Sequence, residues 1–328
     1  MSAFQAASRE PETAATPLSA RIRVGFIVGP TGAGKTALAL EVAGRLGAEI
    51  VNADSRQFYR GMDLGTAKPT PAERRRVAHH LIDVRAPDAP LDVASFVMLA
   101  REAIAEIAAR DRRVLVVGGS GLYLRALRGG IFRGPAASPE IRARLSREAE
   151  EGGIETLHGR LREADPAAAA RIGHHDLYRI MRAIEVFELT GEPISAHQAR
   201  HAFSARAYES LTVGLSLERA HLYQAIDRRF DAMIAAGLVA EVRALLAAGY
   251  APGRPPLATI GYKQIALHLA GELTLEGAIA LAKRDTRHLA KRQLTWFRAD
   301  SELRWLDPAR PAEHAQELFA EFFTRDKL

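Results

Sequence analysis

The 328-residue sequence contains no cysteine. That excludes a disulfide scaffold, a thiolate nucleophile and any zinc centre ligated by cysteine. No run of about 18 apolar residues is present either, so no segment reads as a membrane span. Residues 1–20 are nearly devoid of large apolar side chains and consist mainly of Ala, Ser, Thr, Pro and Glu. Such a segment buries too little surface to order itself and lacks the apolar centre of a signal peptide. The expectation is a loose tail on a cytoplasmic protein. Acidic residues are scarce in one region: between Lys283 and Arg298, six Lys/Arg and one His face a single acid, Asp285.

What is present fits a folded protein. An apolar fraction of 48% supports a sizeable core, and the length suits one large α/β domain or a core with a smaller subdomain. A net charge of +6 is weak evidence of a polyanionic partner, whereas the local excess at Lys283–Arg298 is the stronger sign of phosphate-backbone contact. Nothing in the sequence demands more than a monomer.

Val24–Val28 is an apolar run ending at Gly29, and Thr36–Leu46 carries a helical pattern. Further strands are expected at Glu49–Asn52, Val114–Val117 and Leu211–Leu217. A helix at Val93–Ala109 would bury Phe96, Leu99, Ala103 and Ile107. Strands alternating with helices predict a parallel sheet covered on both faces, a P-loop NTPase-like α/β fold. From about Gly134 to His201 no strand is evident, and Pro135, Pro139, Pro166 and Pro193 punctuate helical stretches. The predicted organisation is therefore a tail at 1–20, an α/β core at 21–133 and 203–328, and an all-helical insert at 134–202. Helices are expected after the insert at Arg219–Ala236, Leu238–Ala248, Tyr262–Ala270 and Leu275–Arg298.

Between the first strand and helix lies Gly29-Pro30-Thr31-Gly32-Ala33-Gly34-Lys35-Thr36, a phosphate-loop pattern in its required context. Its glycines let backbone N–H groups turn inward, the helix N-terminus adds partial positive charge, and Lys35 supplies a full one. The Thr36 hydroxyl is placed to ligate Mg²⁺. The pattern establishes binding of a di- or triphosphate, and read alone it suggests an ATP-binding enzyme. After the second strand comes Ala53-Asp54-Ser55-Arg56-Gln57, where an Asp at a parallel strand's C-terminal end is either a ligand-side residue or a cap.

Those residues, with Gly61-Met62-Asp63 and Gly65-Thr66-Ala67-Lys68-Pro69, resemble the bacterial tRNA dimethylallyltransferases. So do Val117-Gly118-Gly119-Ser120-Gly121-Leu122-Tyr123, Ile260-Gly261-Tyr262-Lys263-Gln264 and Ala290-Lys291-Arg292-Gln293-Leu294-Thr295-Trp296-Phe297-Arg298, in family order. The resemblance implies transfer of a dimethylallyl group from its diphosphate to N6 of the adenosine at tRNA position 37, beside the anticodon, with Mg²⁺ and release of pyrophosphate. It implies Asp54 as the base, Ser120 where the family usually has Thr, and Arg229 on the diphosphate. It implies tRNA contacts from Asp54, Ser55, Arg56, Gln57, Ser120, Arg142, Arg179, Arg182, Gly261, Tyr262, Lys263, Lys291, Arg292 and Arg298. Tyr178 stands where the family prefers Gln and could stack on a base instead.

The residues fit that chemistry. Adenine's exocyclic amine is a poor nucleophile, so alignment with the allylic carbon must supply much of the acceleration. A carboxylate can take the amine proton once the C–N bond begins to form. On the last long helix, Arg284, Arg287, Lys291 and Arg298 are expected to form one basic stripe. Three rivals stay open: a small-molecule kinase, a cytokinin-type adenylate isopentenyltransferase and a non-catalytic RNA-binding module. The third strand ends in Gly118-Gly119 without a Walker-B-type Asp, which weighs against the kinase.

Overall fold

The computed structural model describes residues 22–130, 132, 134–201, 207–253 and 257–325; the expected tail at 1–20 lies outside them. In chain order, β1 (Arg23–Val28), α1 (Lys35–Leu46), β2 (Ala48–Asn52), α2 (Pro71–Arg76), β3 (His79–His80), α3 (Val93–Ala109), β4 (Arg113–Gly118) and α4 (Gly121–Gly129) come first. Five helices follow: α5 (Pro139–Gly152), α6 (Ile154–Ala164), α7 (Pro166–Ala169), α8 (Leu177–Thr190) and α9 (Ile194–His201). The chain then runs through β5 (Glu209–Gly214), α10 (Arg219–Ala235), α11 (Leu238–Ala247), α12 (Tyr262–Leu269), α13 (Leu275–Arg298), β6 (Leu303–Trp305) and α14 (Pro311–Thr324). It divides into two compact units, Met1–Leu127 with Ala207–Leu328, and Arg128–Arg206.

The first unit is built on a six-stranded sheet of order β3-β2-β4-β1-β5-β6, with every pairing parallel. β1, β2 and β4 are almost continuously buried, the pattern of strands covered on both faces. Their C-terminal ends lie side by side because β4 separates β2 from β1, and this is the edge at which open α/β sheets bind ligands. One core cluster packs α1 and α14 on the sheet, with Ile27, Val42, Leu115, Val213 and Phe319 at its heart. Another gathers α10–α13 around Tyr262, Leu238 and Ile265.

The second unit buries Leu145, Leu157, Leu161, Ile180 and Ile184 among its own helices. Asp176 caps α8 by accepting the Arg179 N–H, and Gly191 closes it at φ 71°. On α5, Arg142 meets Glu185 of α8 through two hydrogen bonds of 2.9 and 3.1 Å, and Arg182 adds a third of 2.6 Å. Glu185 is fully buried. Burial by itself would raise its carboxyl, but the two guanidiniums and the Ser138 N–H outweigh that and hold it below the usual carboxylate range.

Several elements differ from the sequence expectation. β5 stops at Gly214, not Leu217, because Leu215 leaves the ladder after its N–H reaches the Val28 carbonyl at 2.8 Å. β3 and β6, of two and three residues, are too short to carry any periodicity. α3 presents a broader face than expected: Val97, Ala100 and Ile104 are buried with Phe96, Ala103 and Ile107, while Leu99 is half-buried. α2 and α14 were not foreseen, although both begin at a proline suited to a helix's first turn.

Candidate active site

The loop after β1 turns through Gly32 at φ 86° and Gly34 at φ 91°, a left-handed backbone that glycine adopts without steric cost. α1 then starts at Lys35, with its first N–H groups directed at the loop. The half-buried Lys35 ammonium donates to the Pro30 carbonyl at 2.8 Å. Burial pushes this ammonium down to about 8; Asp54 opposes the shift and Arg229 adds to it. Arg229, on α10, donates from Nη2 to the Thr31 hydroxyl at 2.6 Å. Its guanidinium is also lowered by burial and supported by the Asp54 charge. Three charges thus meet at the loop: two cations and one carboxylate.

Asp54 follows directly on the end of β2. Asn52 orients it, with Oδ1 accepting the Asp54 N–H at 3.1 Å and Nδ2 donating to the Leu81 carbonyl at 3.0 Å. The carboxylate's Oδ1 accepts the Arg56 N–H at 2.9 Å, while Oδ2 accepts no hydrogen bond among the described residues. The capping alternative is therefore met in part: one oxygen closes an Asx turn and the other stays available. The neighbouring Ser55 N–H donates to Ser120 Oγ at 3.1 Å, which joins the ends of β2 and β4 and leaves the Ser120 hydroxyl proton for another acceptor.

Lys35, Thr36, Asn52, Asp54, Gln57 and His79 line a pocket together with the apolar Ala39, Ile50, Pro69, Ile82 and Val117. Burial lowers the His79 imidazole, with Arg74 contributing and the bond to the Val77 carbonyl opposing, so the ring that lines this pocket is neutral at pH 7. Ser120 and Arg229 are not lining residues. Among the described residues no group of three or more His, Cys, Asp or Glu could hold a metal. A loop hydroxyl suits a hard cation that keeps water and phosphate oxygens as its other ligands, so Thr36 fits Mg²⁺.

The residues expected to meet RNA separate into two groups. Tyr178 is 72% exposed, and Arg179, Lys263, Lys291, Arg292 and Arg298 are exposed. Among the described residues Lys291, Arg292 and Arg298 form no ion pair, whereas Arg284 pairs with Asp285 and Arg287 with Asp227. The expected four-residue stripe is corrected accordingly, since its first half is neutralised within the protein. Arg142 and Arg182 are held by Glu185, so both serve the second unit's packing. Tyr262 is fully buried and donates its hydroxyl to Glu241 at 2.5 Å, and Gly261 is buried beside it. Both carry the core of the first unit, not a surface. Gln57 is likewise buried, bridging to the Thr66 and Ala67 carbonyls at 3.1 Å, while Arg56 and Ser55 remain accessible.

Sequence reasoning missed Asn52, His79, Ile82, Glu241 and the individual role of Gln293. Glu241 accepts the N–H groups of Asp63 and Leu64 at 3.2 and 2.9 Å, fastening the Gly-rich stretch after Asp54. Lys68, in that stretch, is buried between Asp63 and Asp83 at 2.5 and 2.6 Å and is a structural ion, not a surface charge.

The sequence profile of the family described as IPP transferase matches residues 57–300. A tRNA dimethylallyltransferase of Geobacter metallireducens is 50% identical over 287 residues, which is 88% of this chain and 93% of that protein. The enzyme of the same name from Symbiobacterium thermophilum is 51% identical over 87% of this chain and 89% of its own. The crystal structure of a tRNA isopentenylpyrophosphate transferase from Bacillus halodurans is 37% identical and superposes with a TM-score of 0.69, covering 93% of this chain and 98% of that one. A eukaryotic dimethylallyltransferase acting on tRNA, 24% identical with a TM-score of 0.78 over 93% of this chain and 80% of its own, shares the fold.

Proposed function

The chain belongs to the IPP transferase family, and from that premise we infer that it is a prenyltransferase that modifies tRNA, with dimethylallyl diphosphate as donor and an adenine N6 beside the anticodon as acceptor. The observation that carries the reading is one pocket in which a phosphate loop, the Asp54 carboxylate and an apolar wall of Ile50, Ile82 and Val117 occur together. A five-carbon chain fits the apolar wall, and its diphosphate fits the loop. A kinase would need no hydrocarbon wall at this place.

In the mechanism, the loop amides and Lys35 hold the diphosphate, and Arg229 fixes Thr31 within the loop. The adenine amine approaches the allylic carbon opposite the leaving oxygen. The C–O bond breaks with its electron pair going to pyrophosphate, the C–N bond forms, and the amine proton passes to the open oxygen of Asp54. Charge gathers on the departing oxygens beside the loop and the Lys35 ammonium, which stabilise it as the bond breaks. Mg²⁺, held by Thr36 and the phosphate oxygens, would neutralise part of that charge when bound. The exposed cations Lys291, Arg292 and Arg298 supply phosphate-backbone contact, and Tyr178 offers a ring for stacking.

The test is incubation with labelled dimethylallyl diphosphate, Mg²⁺ and unmodified tRNA, with ATP turnover followed in parallel. Label is expected in tRNA; label in AMP, or ATP hydrolysis without labelled RNA, would overturn the reading. Asp54→Asn is expected to lower kcat on the order of 10²–10⁴-fold, the range for a lost general base, with tRNA affinity kept within a few-fold. Loss of tRNA binding instead would make Asp54 a recognition residue.

A further inference from the structure

We propose that Gln293 of α13 is a positioning residue: its carboxamide fixes the leaving-group loop relative to the loop that carries Ser120. The inference rests on the reading that the phosphate loop holds the donor's diphosphate.

The geometry is that of a strut with both ends engaged. Gln293 Oε1 accepts the Thr31 N–H at 2.8 Å, and its Nε2 donates to the Gly119 carbonyl at 2.9 Å. Thr31 is the loop residue whose hydroxyl also receives Arg229, and Gly119 precedes Ser120, whose Oγ holds the Ser55 N–H next to Asp54. One amide therefore sits between the group that grips pyrophosphate and the strand ends that place the base. The approach is close: a Cβ on Gly119 would stand 2.6 Å from Gln293 Nε2. One turn further on, Trp296 covers Gly121, where a Cβ would meet the indole at 2.3 Å. Glycine at both positions lets α13 reach the β4 loop, and a terminal amide supplies the acceptor and donor that the two backbones require.

Both ends of the Gln293 carboxamide are engaged by backbone, so its effect is expected in kcat and not in tRNA binding. Removing it frees the Thr31 peptide from the Gly119 carbonyl, and the in-line alignment of amine, carbon and leaving oxygen loosens. Gln293→Glu separates positioning from mere packing. An ionised Glu accepts from Thr31 but opposes the Gly119 carbonyl with a second acceptor, whereas a protonated Glu has the donor and acceptor of the native amide.

The experiment measures kcat, both KM values and melting temperature for wild type, Gln293→Leu, Gln293→Glu and Lys35→Met. Gln293→Leu is expected to lower kcat on the order of tenfold to a hundredfold, with the tRNA KM within a few-fold of wild type. For Gln293→Glu, the ratio of variant to wild-type kcat is expected to rise as pH falls toward the carboxyl's titration. Taking the ratio at each pH cancels the titration of Asp54. Unchanged kcat in both variants, or a Gln293→Glu ratio that is flat in pH, would overturn the proposal. If Gln293→Leu fails to fold, the pH profile of Gln293→Glu decides alone. Lys35→Met keeps the two readings apart: should it leave the donor KM and kcat untouched, the diphosphate reading fails and takes this one with it. Impaired Lys35→Met beside wild-type-like Gln293 variants would remove Gln293 alone.

Discussion

Burial brings the Lys35 ammonium to about 8, so the free enzyme starts to lose a cation from its phosphate grip a little above neutral pH. Because kcat/KM reports groups of the free enzyme, its value for the diphosphate donor should fall roughly tenfold per pH unit once pH exceeds about 8. A profile that stays flat well above that point would show that the loop amides alone hold the donor. The same displacement acts on folding with the opposite tendency. The unfolded chain keeps this proton up to the ordinary lysine value of 10.5 while the folded chain has released it, so this group makes folding more favourable as pH climbs between the two values. The donor's charge reverses that cost when it binds. Lys35, Thr36 and Asp54 were legible in the sequence because each follows its strand within a few residues, and local spacing fixed their place. Gln293 as a partner of Thr31 was not, since the two lie 262 residues apart and only the sheet and α13 bring them together.

Along α13, the even run of cations seen in the sequence resolves into two halves. Arg287 is bound to Asp227 at 2.9 Å and lies over the Tyr223 ring, while Lys291, Arg292 and Arg298 are exposed and have no acidic partner among the described residues. The difference should appear in salt dependence. Lys291→Ala and Arg292→Ala are each expected to reduce the slope of log affinity against log salt by about one, as for a lost phosphate contact. Arg287→Ala should leave that slope in place and weaken the α10–α13 contact instead. Wild-type slopes in all three variants would mean that the helix lies outside the RNA interface. The helix was plain from its long periodic pattern over Leu275–Arg298, and the structure adds that Thr274 caps its first turn. Which cations were already neutralised could not be read there, because Asp227 belongs to a different helix.

At the scale of the whole molecule, two units with separate cores carry separate stability ledgers. Glu185 ties α5 to α8 inside the second unit, and its lowered carboxyl contributes stability above its unfolded pKa that is lost as pH falls through the folded one. Glu185→Gln leaves two guanidiniums facing a neutral amide and should cost about 2–3 kcal/mol, below the full range for a broken buried pair because Arg142 and Arg182 remain partly in water. Amide exchange is expected to accelerate in α5 and α8 and to stay unchanged in β1 and α1. Uniform acceleration along the chain would refute the assignment of Glu185 to one unit. The parallel sheet was foreseen from its central strands, whose apolar runs are long; its edges, β3 and β6, were not, since their few residues acquire strand character only by pairing with β2 and β5.

The strut between Thr31 and Gly119 also orders events during synthesis. Both loops leave the ribosome early, yet the residue that joins them emerges 262 positions after Thr31. At the usual elongation rate of about 5–20 residues per second, that interval is on the order of 10–50 seconds. Throughout it the nascent chain displays a phosphate loop and the Asp54 turn without the member that registers one to the other. A chain truncated before Gln293 would carry the phosphate loop and the Asp54 turn without the member that aligns them, and its turnover is expected to fall at least as far as that of Gln293→Leu.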